Sequence, residues 1–111
     1  MMRNQRIVLN TNDAVHFIRL ENILYCKSEN SYTTFYLTNH EQIVVSKNIK
    51  EFENQLSDAH FFRSHQSYLV NLDHITKIDK QNGFNLFLTD ESVIPTSTRK
   101  RKMLLQILQN N

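Results

Sequence analysis

The run Phe61-Phe62-Arg63-Ser64-His65-Gln66-Ser67-Tyr68-Leu69-Val70-Asn71 sets two aromatic residues before a polar stretch and an apolar strand after it. Polar side chains therefore gather at the mouth of a strand. Arg63, His65, Gln66 and Ser67 carry donors suited to phosphate oxygens, and the Gln66 amide also matches the N6/N7 edge of adenine. Taken alone, such a stretch is more often an ordinary loop. Ser67 and His65, at i and i+2, would share one face of a strand. No third member or oxyanion loop lies near them in the sequence, so no catalytic residue is assigned and no enzyme is expected.

Outward from this stretch the chain is mostly strand-like. Ala14-Val15-His16-Phe17-Ile18-Arg19, Tyr32-Thr33-Thr34-Phe35-Tyr36-Leu37 and Phe84-Asn85-Leu86-Phe87-Leu88-Thr89 are β-branched or aromatic runs mixed with polar residues, the pattern of half-buried strands. Turn signals fall at Asn10 to Asp13, Glu29 to Ser31, Thr38 to Glu41, Gln81 to Gly83 and Asp90-Glu91, a spacing that predicts antiparallel all-β architecture with Asn82-Gly83 as the clearest hairpin. With one glycine and one proline in the chain, asparagine is expected at many of the turn positions that need φ > 0. Two segments break the alternation. Ile49, Phe52 and Leu56 recur at helical spacing behind Asn48 and Glu51, which pair as a capping box and predict a short helix from Asn48 to Leu56. From Ser97 to Leu108, Met103, Leu104, Ile107 and Leu108 form one apolar stripe, with Ser97 or Thr98 as the N-cap.

At 111 residues the chain is one domain that buries roughly two thirds of its unfolded surface. Apolar residues at 40% and charged residues at 22% exclude a disordered tail. No apolar run approaches the roughly 20 residues of a membrane span, and Met1 to Arg6 lack the apolar stretch of a secretory signal, so a cytoplasmic location with no membrane partner is expected. The lone Cys26 cannot form an internal disulfide and reads as a small core or boundary residue. His16, His40, His60, His65 and His74 are scattered without a cysteine set or a helical i, i+4 pair, and one glycine cannot build a phosphate loop. Neither a metal nor a cofactor is expected.

The formal charge of +2 hides an asymmetry. Arg99, Lys100, Arg101 and Lys102 are four of the thirteen Lys and Arg, which leaves nine against eleven acidic residues elsewhere. In the first turn of a helix these cations oppose the macrodipole, which favours acidic side chains there by roughly 0.3–1 kcal/mol each. A phosphate would be met by both the free backbone N–H groups and the side chains. The alternative is a protein-interaction module whose 99–102 block meets an acidic partner; the plainest reading is a solvated basic run.

Phe61 to Asn71, continued by Leu72-Asp73-His74-Ile75, resembles the most characteristic stretch of the LytTR DNA-binding domain, the output module of a class of bacterial response regulators. The likeness extends through Ile23-Leu24-Tyr25-Cys26-Lys27-Ser28-Glu29-Asn30-Ser31-Tyr32, Asn48-Ile49-Lys50-Glu51-Phe52-Glu53 and Ile94-Pro95-Thr96-Ser97-Thr98-Arg99, and so over nearly the whole chain from about Ile7. It implies a mostly β fold: an elongated arrangement of small antiparallel sheets with about ten strands, one short internal helix and a C-terminal helix. It also implies sequence-specific binding of double-stranded DNA through loops that enter the major groove, on repeated half-sites and as a homodimer. By position, Tyr32, Gln66 and Arg99 fall on the family's base-contacting places, while Asn30, Ser31, Lys47, Lys50, Arg63, His65, Ser67, Thr98, Lys100 and Arg101 are backbone-contacting or supporting. The chain departs from the family at Asn39-His40, Asp90-Glu91 and Thr98. The whole chain, 1–111, is expected to be one such domain, with Met1 to Arg6 as a disordered lead. No receiver domain precedes the module, so an excised output domain or a free-standing regulator is expected.

Overall fold

The computed structural model describes residues 5–109 and contains ten strands and two α-helices. In chain order these are β1 (Arg6–Asn10), β2 (Val15–Arg19), β3 (Ile23–Glu29), β4 (Tyr32–Leu37), β5 (Gln42–Val45), α1 (Ile49–Gln55), β6 (Phe61–His65), β7 (Tyr68–Asn71), β8 (Ile75–Asp79), β9 (Asn85–Leu88), β10 (Val93–Ile94) and α2 (Arg101–Gln109). They form a central five-stranded sheet in the order β5-β4-β3-β7-β6, a three-stranded sheet β10-β9-β8 and a two-stranded ribbon β1-β2. Every strand pairing is antiparallel. The principal extents are 43 × 37 × 24 Å. This is the mostly β architecture of small sheets that the sequence predicts. Met1 to Asn4 lie outside the described residues, but Arg6 does not precede the fold: it opens β1 opposite Arg19.

The central sheet divides the core in two because its side chains alternate between faces. Cys26, paired with Phe35 on one side and Leu69 on the other, turns to the face covered by Ile7 and Leu9 of the ribbon and by Ile49 and Phe52 of α1. Val70, paired with Tyr25 and Phe62, turns to the face covered by Leu86, Leu88 and Ile94 of the small sheet and by Leu104 of α2. Burial on both faces is why β7 reads as an uninterrupted Leu69-Val70. Asn71 closes that strand. Its Nδ2 donates to the Ile23 carbonyl at 2.9 Å, and its Oδ1 accepts from the Asp73 N–H at 3.0 Å, so the buried amide is satisfied.

Local rules explain most element ends. The Asn48 side chain accepts from the Glu51 N–H at 3.1 Å and starts α1. Three expectations fail. Among non-glycine residues with positive φ only Asn30 is asparagine; the others are His40, His60, Phe84 and Glu91, with Gly83 beside Phe84. Neither Ser97 nor Thr98 caps α2 with its side chain. Thr98 to Lys100 form a 3-10 turn, the Lys100 N–H reaches the Ser97 carbonyl at 2.9 Å, and the Ser97 N–H is given to Ser64 of β6. The apolar stripe of α2 is also rotated. Leu104 is fully buried with Leu105, Ile107 and Leu108 packed beside it, while Met103 is exposed. At 100° per residue, Arg101 falls on the same side as Leu104 and Leu108, and Met103 falls outside it.

Candidate nucleic-acid interface

Register alone brings the candidate residues together. Lys27 of β3 pairs with Tyr68 of β7, so the β3–β4 turn at Asn30-Ser31 and the β6–β7 turn at Gln66-Ser67 emerge side by side from one end of the central sheet. The Ser28 N–H donates to the Ser67 carbonyl at 2.8 Å and ties the two together. Beyond β6 the chain returns alongside it. The Ser97 N–H donates to the Ser64 carbonyl at 2.8 Å, and the Ser64 hydroxyl donates to the Pro95 carbonyl at 2.9 Å, which sets Thr98 and Arg99 next to the Gln66 turn. On the other flank the Thr33 hydroxyl donates to the Lys47 carbonyl at 2.7 Å. Lys47 therefore leaves β5 at the same end, with Lys50 in the first turn of α1 beyond it. Across the sheet the row reads Lys47, then Asn30-Ser31-Tyr32, then His65-Gln66-Ser67, then Thr98-Arg99.

The tips differ in how they are held. Tyr32 is 47% exposed at the start of β4, opposite Glu29. Gln66 is exposed, but the turn that carries it is gripped from below by Arg63. This guanidinium donates through Nε to the His65 carbonyl at 3.1 Å, through one Nη to the Gln66 carbonyl, and through the other to Glu53 Oε1 of α1 at 2.7 Å. His65 adds a second tie, its Nδ1 accepting from the Ser67 N–H at 3.0 Å, which leaves the ring proton on Nε2. Arg99 is exposed and without an ion pair among the described residues.

The basic block does not act as one patch. Lys100 folds back over the Phe62 ring at 5.5 Å. Arg101 lies over the Phe84 ring at 5.4 Å and reaches the Gly83 carbonyl at 3.4 Å, with its Nε buried and unpartnered. Only Arg99 and Lys102 of the four point to solvent. Lys27, which the motif reading passed over, stands behind the two hairpin turns. Its Nζ lies 5.9 Å from the Tyr68 ring centroid and 3.7 Å from Glu29 Oε2, and the Tyr68 phenol, with Glu29 after it, holds the ammonium pKa above its usual value. The alternation Tyr25, Lys27, Glu29 on one strand face was the available signal. For Glu53 there was none, since its partner Arg63 lies ten residues away across a helix–strand boundary.

Residues 13–109 match the LytTr DNA-binding domain. The chain belongs to that family. LytTr relatives include the sensory transduction protein LytT of Oceanobacillus iheyensis, 33% identical over 108 residues, with 94% of this chain and 44% of the relative covered. The transcriptional regulatory protein YpdB of Escherichia coli is 32% identical over 111 residues, with 91% and 46% covered. LytR of Staphylococcus aureus is 30% identical over 82 residues, with 74% and 32% covered. The chain thus spans less than half the length of these relatives. A solved LytTr DNA-binding domain of a putative methyl-accepting/DNA response regulator from Bacillus cereus superposes with a TM-score of 0.79, at 22% identity over 96% of this chain and 98% of that one, and shares the fold. Among the described residues, no cluster of three or more His, Cys, Asp or Glu is placed to hold a metal, and no helix is long and apolar enough to cross a membrane.

Proposed function

We propose that this chain binds double-stranded DNA sequence-specifically through the row of turns at one end of the central sheet, as a single output domain of a cytoplasmic bacterial response regulator that controls transcription. The observation that carries this reading is that three separate turns, bearing Tyr32, Gln66 and Arg99, leave the same sheet end side by side. Strands lie about 4.8 Å apart, so from β4 to the segment beside β6 the row spans about 19 Å. That exceeds the roughly 12 Å width of one major groove, so the row runs along a groove and not across it. Arg99 suits guanine O6/N7 and Gln66 suits adenine N6/N7, while Tyr32 packs on a thymine methyl or stacks. Lys47, Lys50, Asn30, Ser31, His65, Ser67 and Thr98 border the row and contact phosphates. Arg63 and Arg101 donate to turn carbonyls and Lys100 packs over the Phe62 ring, so these three serve in support of the row. On this reading two copies bind repeated half-sites as a homodimer.

The test is selection of a preferred duplex from random sequence, followed by titration of variants on that duplex and on random DNA. Arg99→Ala is expected to cost about 1–3 kcal/mol on the preferred duplex and to relax preference at one base pair, whereas Lys102→Ala weakens all duplexes alike. Equal losses for Arg99→Ala on both duplexes would remove it from the base readers. Failure to select any duplex would leave the acidic-partner reading of residues 99–102.

A further inference from the structure

We propose that the outer face of the β1–β2 ribbon is a self-association surface on which a second copy of this chain docks face to face about a two-fold axis. The ribbon is amphipathic in an unusual sense. Its inner side chains Ile7, Leu9 and Ile18 join the core, while its outer side presents Val8, Val15 and Phe17 at 46%, 52% and 59% exposure. Val8 pairs directly with Phe17, so these residues form one contiguous apolar strip.

The charges at its two ends identify the occupant. At one end Arg6 and Arg19 lie directly opposite each other, a like-charge cross-strand pair that destabilises an isolated ribbon. Arg6 is occupied over the Phe17 ring at 4.9 Å, and Arg19 takes part in no ion pair among the described residues. At the other end the Thr11–Ala14 turn carries the exposed Asp13, which has no cationic partner among the described residues. A two-fold axis midway between the Val8/Phe17 and Asn10/Val15 levels lays Phe17 of each copy on Val15 of the other and Val8 on Asn10. The same operation puts each Arg19 over the Asp13 of the other copy. The surface is thus complementary to itself, as an isologous contact requires.

Five residues at about 3.4 Å each and two strands in width give a footprint on the order of 200 Å², well below the roughly 800 Å² per partner of a stable complex. The contact is therefore weak in free solution. It becomes effective when two copies are held near each other, where effective concentrations reach the millimolar range. This second role rests on the DNA-binding reading, whereas association in free solution does not.

Sedimentation equilibrium of the whole chain without DNA, up to about 1 mM, tests the surface. The wild type is expected to show a reversible monomer–dimer equilibrium. Arg19→Asp and Asp13→Arg should each raise the dissociation constant about tenfold, and combining them in one chain should restore it to within about threefold. Phe17→Thr should weaken it without recovery. Arg19→Asp removes a like-charge pair on an exposed face, so the fold is not at risk. A monomeric wild type at 1 mM, or a double variant no better than the singles, overturns the proposal. On a duplex with two sites, the single-charge variants should lose cooperativity and keep wild-type affinity for one site. Association without any DNA binding would sink the DNA reading alone.

Discussion

The two hairpin turns at the proposed DNA-binding end of the sheet stand side by side and are built on different terms. Asn30-Ser31 is closed by the β3–β4 ladder alone, with Asn30 at φ 57° doing the reversal. Gln66-Ser67 is closed by side chains as well, through Arg63 on two carbonyls and His65 on the Ser67 N–H. A side chain reads a base edge only when its backbone is fixed, since each loose torsion is ordered at the cost of binding energy. The clamped turn suits directional hydrogen bonds from Gln66. The simpler turn suits Tyr32, whose ring face tolerates a range of positions.

The largest effect should come from breaking the clamp. Arg63→Ala removes a fork that is 17% exposed, frees two turn carbonyls and leaves Glu53 alone on α1. We expect a loss of about 2–3 kcal/mol of folding stability, toward the lower end because Glu53 is itself 31% exposed and can recover water. Chemical denaturation measures this. Duplex titration should also show the preference for the selected sequence shrinking more than the affinity for random DNA. Arg63→Lys keeps a charge for Glu53 but lacks the planar fork, so it should recover stability more than preference. If stability falls and preference stays intact, the clamp holds the fold and not the reading turn, and the contrast between the two turns fails.

The simpler turn should respond to backbone chemistry and not to charge. Asn30→Ala places a side chain without local hydrogen bonding in the left-handed region and should cost about 1 kcal/mol, while Asn30→Gly should stay within about 0.5 kcal/mol of wild type. Thermal unfolding of the three proteins decides this. A glycine variant as unstable as the alanine one would mean that the Asn30 side chain, like Arg63, braces its turn.

The same contrast marks what could be read from the chain. Alternation located β2, β4 and β9, the Asn48–Glu51 spacing located α1, and the apolar Leu69-Val70 announced a strand, because each depends on neighbours a few residues away. Arg63 looked like a phosphate ligand for the same reason that it serves as a clamp: a guanidinium fork fits carbonyls and carboxylates as readily as phosphates. The register that brings Glu53 beneath it supplies the carboxylate half of that clamp, and nothing near Arg63 in the sequence points to it. Phe84 shows the limit most sharply. A left-handed backbone costs a non-glycine residue roughly 1–2 kcal/mol, yet burying a phenylalanine returns about 1.5–3 kcal/mol. The core, with Arg101 over the ring, thus selects a conformation that local preference disfavours. The same competition rotates α2, where Arg101 displaces Met103 from the packed side.

The smallest predicted effect probes what the two turns share. Tyr25 of β3 lies between the strands that lead to them, stacked on Tyr36 of β4 at 4.4 Å and tilted against Tyr68 of β7 at 6.1 Å. Burial, with Tyr36 beside it, pushes the Tyr25 phenol up to about 12. In the unfolded chain the phenol ionises near 10, so its contribution to stability is complete below about pH 10 and is lost as pH rises toward 12. Because the ring is only partly buried, that contribution is well under 1 kcal/mol. Full burial also pushes the Cys26 thiol up, and with the same sign, so the measurement belongs in a Cys26→Ala background. There, stability of the parent should decline between pH 10 and 12, and that of a further Tyr25→Phe variant should decline less. Hydrogen-exchange protection at the two turns, after division by the intrinsic base-catalysed rate, should fall together over this range in the parent, since Tyr25 packs on β4 and β7 alike. Loss of protection at Asn30-Ser31 alone would show that Arg63 insulates its turn from the aromatic stack as well as from solvent, and would widen the difference between them.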